Sequence, residues 1–130
     1  MALKVLVVDD AGFVRQILVS MLMDLGCEVV AEARTGTEAI ERAKLAKPDL
    51  IFMDMVLPEK NGAEAAIEIL EARPQCRIIA MSTATEEIVR ARANQAGCIR
   101  FLEKPFRVQD VQSLLETLDG YRAPSRESVG

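Results

Sequence analysis

The sequence predicts an α/β fold: a doubly wound parallel sheet of five strands with helices on both faces. Three observations predict it. Hydrophobic periodicity alternates between strand-like and helix-like five times along the 130 residues. The stretch Leu50-Ile-Phe-Met53 is apolar throughout, as a strand covered on both sides requires. The apolar strand stretches end on polar groups: Asp9 and Asp10, Asp54, Ser82 and Thr83, and Lys104. A parallel sheet gathers those ends on one edge, where such sheets bind their ligands.

Each element has its own signal. Residues 3–8 form a β-branched-rich strand that stops at Asp9 and Asp10. From Gly12 the period changes to helical, with Val14, Ile17, Leu18, Met21, Leu22 and Leu25 inward and Gly26 as the stop. Cys27 to Ala31 is a second strand. Thr35-Gly-Thr-Glu38 has the capping-box form and opens a second helix, with Ala39, Ile40 and Ala43 inward and Pro48 beyond its end. The third strand is Leu50 to Met53, leading to Asp54. Asn61 caps a third helix whose apolar face is Ala66, Ile67 and Leu70. Residues 76–81 are the fourth strand. Thr83-Ala-Thr-Glu86 repeats the capping-box form and opens a fourth helix that runs through Gln95 and stops at Gly97. Cys98 to Leu102 is the fifth strand, and Val108, Val111, Leu115 and Leu118 line the last helix. Residues 120–130 lack periodicity and are expected to be a flexible tail after a single domain over 1–119.

Composition narrows the function. The net charge of −4 argues against a nucleic-acid surface, and no apolar run is long enough for a bilayer span. The N-terminus lacks the pattern of a signal peptide, and the three cysteines, odd in number and set among apolar neighbours, suggest a cytoplasmic protein. Cys27, Cys76 and Cys98 form no short-spaced pair and read as reduced thiols packed as small hydrophobes. There is no histidine, which removes the commonest general base and metal ligand. What remains at the strand ends is three carboxylates, Asp9, Asp10 and Asp54. Together they would repel one another unless a cation sits among them. An all-oxygen donor set suits a hard ion, Mg²⁺ or Mn²⁺. The lysine and hydroxyl beside them suit the oxygens of a phosphoryl group.

These residues, in this order, resemble a response regulator receiver domain, in particular the stand-alone chemotaxis type (CheY-like). The similarity rests on Val7-Val8-Asp9-Asp10, on Met53-Asp54 with Leu57-Pro58 and Asn61-Gly62, on Ser82, on Ala96-Gly97, and on Lys104-Pro105-Phe106. It spans residues 3 to about 119. The resemblance implies a flavodoxin-like (βα)5 fold with strand order 2-1-3-4-5. It implies that Asp54 accepts a phosphoryl group from a histidine kinase or phosphotransfer domain. Asp10 and Asp54 would hold Mg²⁺, with Asp9 acting directly or through water and the backbone carbonyl of Val56 as a further ligand. Lys104 would pair with phosphoryl oxygen, and the Lys104-Pro105 bond would be cis.

Two positions carry alternatives. Ser82 and Thr83 are both candidates for the switch hydroxyl. Counting back from Lys104 and Gly97 favours Ser82, which leaves Thr83 as a cap for the next helix. Phe101 stands where the family has its switch aromatic and reads equally as a core phenylalanine. The resemblance implies output to a protein target on the face of the fourth helix, fifth strand and fifth helix, with Arg90, Arg92 and Arg100 nearby. It implies no enzyme activity beyond the domain's own phosphorylation and dephosphorylation, and a monomer. The start of the first helix, near Phe13 and Val14, resembles the surface that docks phosphotransfer domains. The rival readings are a relay intermediate, a pseudo-receiver that is never phosphorylated, and an aspartate-nucleophile hydrolase. The last needs a second acid two residues after the nucleophile, where this chain has Val56.

Overall fold

The central strand is the all-apolar run, and the rest of the chain is wound on either side of it. A computed structural model describes residues 2–84 and 86–124. The elements are β1 (Lys4–Val8), α1 (Gly12–Asp24), β2 (Glu28–Ala33), α2 (Gly36–Ala46), β3 (Leu50–Asp54), α3 (Gly62–Ala72), β4 (Arg77–Ser82), α4 (Glu87–Gln95), β5 (Arg100–Glu103) and α5 (Val108–Glu116). The five strands form one sheet in the order β2-β1-β3-β4-β5, with every neighbouring pair parallel. This is the flavodoxin-like (βα)5 fold.

Strand alternation divides the core in two. Leu6 and Val8 of β1, Ile51 and Met53 of β3, and Ile78 and Ala80 of β4 face α2, α3 and α4. Val5, Val7, Leu50, Phe52, Ile79 and Met81 face α1 and α5. All five residues of β3 are buried. Each large side chain removed from water in this way contributes about 1.5–3 kcal/mol. The three cysteines are free and buried, and burial pushes each thiol up to about 11. They pack as small hydrophobes.

The caps of α2 and α3 form as their sequences require. Thr35 Oγ1 accepts the Glu38 N–H at 3.0 Å, and Asn61 Oδ1 accepts the Glu64 N–H at 2.9 Å. The Glu38 carboxylate reaches one residue further back than a capping box requires, to the Arg34 N–H.

The structure corrects several expectations. The Thr83 capping box does not form. α4 begins at Glu87 with Glu86 at its N-cap, because the Ser82 hydroxyl accepts the Ala84 N–H and carries the chain through a bend first. β2 runs on to Ala33, and β5 starts at Arg100 because the Cys98 N–H still closes α4 on the Ala93 carbonyl. Ile17 and Ile67 are 37% and 46% exposed. Leu18 and Leu22 fill the inner face of α1, and Ile69 takes the inward place on α3. Of the expected flexible tail, residues 125–130 lie outside the described residues. Tyr121 is docked, its hydroxyl donating to the Leu25 carbonyl at 2.7 Å. No helix among the described residues is long and apolar enough to cross a membrane.

Candidate functional site

Four of the five loops at the carboxyl edge of the sheet build one cluster of charged and polar groups. β1 ends at Val8, so Asp9 is the first residue past the strand. It is 1% exposed, and its Oδ1 accepts the Ala11 N–H at 2.9 Å. Arg15, one turn into α1, donates to the Asp9 carbonyl at 2.8 Å and pairs with Glu32 at 2.9 Å, tying this loop to β2. Asp10 is exposed. Asp54 closes β3 and is 5% exposed, with Oδ1 accepting the Val56 N–H at 2.9 Å. Carboxylate oxygens of Asp9, Asp10 and Asp54 lie within 4.8 Å of one another.

Lys104 joins two of the three. Its Nζ is 2.5 Å from Asp9 Oδ2 and 2.6 Å from Asp54 Oδ2. The lysine reaches them from the end of β5, where its backbone N–H donates to the Ser82 carbonyl at 3.0 Å and the Lys104-Pro105 bond is cis. Burial pushes the Asp54 carboxyl up from its ordinary value, Lys104 and the Val56 N–H oppose that, and the charge of Asp9 adds to it. Burial alone would lower Lys104, but its bonds to Asp54 and Asp9 outweigh burial and raise it. One buried ammonium therefore balances two buried carboxylates, and the third is left to solvent. A site of surplus carboxylate oxygen with no nitrogen or sulfur donor fits a hard divalent cation.

The remaining predicted residues fall in distinct places. Ser82 ends β4 and is 1% exposed, on the strand beside Lys104. Thr83 is exposed in the bend and lines an apolar groove of about 280 Å³ with Phe13, Ile17, Lys104 and Phe106. Val56 is 69% exposed, and its side chain offers no polar atom. Phe101 lies outside the cluster. It is half-buried on β5, opposite Ala80, with the Arg90 guanidinium 4.5 Å above its ring. Arg90 also pairs with Glu103. Sequence reasoning missed the fixing roles of Arg15 and Arg90. Both are one helical turn inside a helix; Arg15 reaches back to the end of the preceding strand, whereas Arg90 reaches forward to the strand that follows its helix.

The glycines at this edge are places of close approach. A Cβ on Gly62 would lie 2.0 Å from the Asp54 carbonyl oxygen, so α3 can start directly against the strand end only with glycine there.

Comparison with known proteins places this arrangement in context. The family model described as the response regulator receiver domain matches residues 5–116. The chain is 40% identical over 120 residues to the chemotaxis protein CheY of Bacillus subtilis, covering 92% of this chain and 100% of that one. It is 39% identical over 115 residues to the chemotaxis protein CheY of Thermotoga maritima, covering 88% and 96%. Among solved structures, the CheX-CheY-BeF3-Mg complex from Borrelia burgdorferi aligns with a TM-score of 0.80 at 25% identity, covering 86% of this chain and 88% of that one.

Proposed function

The chain belongs to the response regulator receiver domain family, and from that premise we propose that Asp54 is a phosphoacceptor in chemotaxis-type signalling. The observation that carries the reading is the Lys104 ammonium, which bridges Asp9 and Asp54 beside the buried Ser82 hydroxyl.

An Asp54 carboxylate oxygen attacks the phosphorus of a phosphohistidine on a kinase or phosphotransfer domain. The P–N bond breaks as the O–P bond forms, and the released imidazole takes up a proton. The Val56 N–H holds Oδ1 and fixes the plane of the carboxylate, which leaves Oδ2 on the Lys104 side. Lys104 then carries a charge that can follow the phosphoryl oxygens. Asp10, Asp54 and the Val56 carbonyl would hold Mg²⁺, with Asp9 directly or through water. When bound, the metal neutralises the carboxylates and the transferring oxygens.

Three further elements complete the reading. The apolar groove at Phe13, Ile17, Thr83 and Phe106 opens beside Lys104 and suits a phosphotransfer partner, whose apolar face would cover it. The Ser82 hydroxyl can turn from the Ala84 N–H toward a phosphoryl oxygen and draw the β4–α4 bend with it. Phe101 would then move inward, and the surface of α4, β5 and α5 would change for a downstream protein. The domain turns over nothing but its own aspartyl phosphate. It works as a cytoplasmic monomer.

The test is labelling of the full chain by acetyl phosphate with Mg²⁺, on wild type and Asp54→Asn. Stoichiometric addition of one phosphoryl group that is lost in the variant supports the reading. An unlabelled wild type would make the chain a pseudo-receiver, and continuous turnover of added phosphate esters would make it a hydrolase.

A further inference from the structure

A second charged cleft lies at the other edge of the sheet, one strand length from Asp54, or about 15 Å for five residues. It has a volume of about 390 Å³, within the range of small-molecule sites. Three segments separated in sequence converge on it: the start of β1, the α2–β3 turn and the α3–β4 turn. Of its nine lining residues four are cationic (Lys4, Lys47, Arg73 and Arg77) and one is acidic, Asp49. The chain as a whole has 16 cationic residues to 20 acidic, so the cleft reverses the balance of the protein.

None of the four cations forms an ion pair among the described residues. Arg77 donates to the Asp119 carbonyl at 2.8 Å, a neutral acceptor. The single carboxylate is already engaged, since Asp49 Oδ2 accepts the Lys4 backbone N–H at 3.0 Å. Arg73 adds an independent sign: its Nε is buried and has no hydrogen-bond partner. A buried guanidinium nitrogen left unmet costs stability unless an acceptor arrives.

The plainer explanation is that Lys47 and Arg73, the C-caps of α2 and α3, complement the negative helix ends. It does not reach Lys4 and Arg77, which belong to strands, and it leaves Arg73 Nε unmet.

We propose that this cleft binds a small soluble polyphosphate anion, with Arg73 and Lys47 as its principal contacts. A concave site favours a compact ligand over a membrane or an extended acidic chain. Several converging cations match adjacent phosphoryl groups better than a single carboxylate. The site shares no residue with the Asp54 cluster and stands whether or not Asp54 is phosphorylated.

The experiment is a titration of the full chain with pyrophosphate in Mg²⁺-free buffer at constant ionic strength, followed by amide NMR. The expected result is saturable shifts confined to residues 2–4, 47–49 and 73–77, with orthophosphate binding more weakly. Lys47→Gln, an exposed change that leaves packing alone, and Arg73→Gln should each weaken binding about tenfold, as loss of a charge-assisted hydrogen bond does. Shifts that never saturate, that map to Asp9, Asp54 and Lys104, or that persist unchanged in both variants would overturn the proposal.

Discussion

The Arg90 guanidinium lies 4.5 Å above the Phe101 ring and at the same time pairs with Glu103, so one side chain of α4 holds two residues of β5. The site is half-exposed, and each contact contributes about 1 kcal/mol or less. Arg90→Ala should therefore lower stability in urea by about 1 kcal/mol or less. Its larger effect should be on the ring. Aromatic NMR signals of Phe101 should move in the variant toward their positions in beryllofluoride-treated wild type. Unmoved signals would mean that Arg90 does not restrain Phe101.

Lys104 should be worth more to folding than Asp54. Without it, Asp9 and Asp54 remain as neighbouring buried charges with no counterion, and Lys104→Met should lose about 3 kcal/mol in Mg²⁺-free urea melts. Mg²⁺ should restore much of the loss by binding the folded state alone. Asp54→Asn leaves Lys104 paired with Asp9 and should gain about 1 kcal/mol at neutral pH. A destabilised Asp54→Asn protein would refute this balance of charges.

The pH dependence follows from the same two groups. The Asp54 carboxyl is raised in the folded state, chiefly by burial, so folding favours its protonated form. The advantage of Asp54→Asn should be full above that raised value. It should disappear as pH falls below the ordinary carboxyl value of 3.8, where both states are protonated. Lys104 is also raised, so its contribution is fully present below its ordinary 10.5 and is lost as pH rises through the folded value. Urea midpoints of wild type, Asp54→Asn and Lys104→Met across both ranges would check the two signs.

Dephosphorylation should be slow. The Val56 N–H bonds Asp54 Oδ1 and the Ala84 N–H bonds the Ser82 hydroxyl, and neither side chain carries a polar atom that can orient an attacking water. The aspartyl phosphate should outlast seconds, and Val56→Asn should shorten its half-life about tenfold, a change of roughly 1.4 kcal/mol in the barrier. Phosphate release after removal of the donor measures both.

Gly62→Ala should damage the site from behind. An added Cβ would meet the Asp54 carbonyl oxygen at 2.0 Å and Met55 Cα at 2.8 Å, both backbone atoms. A cost of about 3 kcal/mol is expected, with labelling of Asp54 slowed at least about tenfold. Asn61→Ala removes only the cap, should cost about 1 kcal/mol, and should keep the labelling rate.

Much of this molecule is legible in its sequence. β3 is readable because Leu50 to Met53 leave no polar alternation, Asp9 and Asp54 because each ends an apolar run, and Lys104 because Lys104-Pro105-Phe106 follows the last strand as the resemblance implies. The resemblance supplied strand order, which no single segment encodes. Thr83 misled because its capping-box pattern is local, whereas the bond from the Ala84 N–H to Ser82 settles where the chain turns. Ile17 and Ile67 misled because a helical repeat marks a broad stripe and does not say which margin packs. Tyr121 was hidden because its partner, the Leu25 carbonyl, lies 96 residues away and carries no side-chain signature.

The start of α2 bears on the acceptor more than its place in the chain suggests. A Cβ on Gly36 would fall 1.8 Å from the Lys60 carbonyl oxygen, so the turn before α2 is seated directly on the segment that follows Asp54. Neither turn can move toward the other without displacing it. Random mutagenesis aimed at signalling lifetime should thus recover variants in residues 34–38, a stretch that supplies no ligand and no nucleophile, because it sets how far the neighbouring turn can recoil.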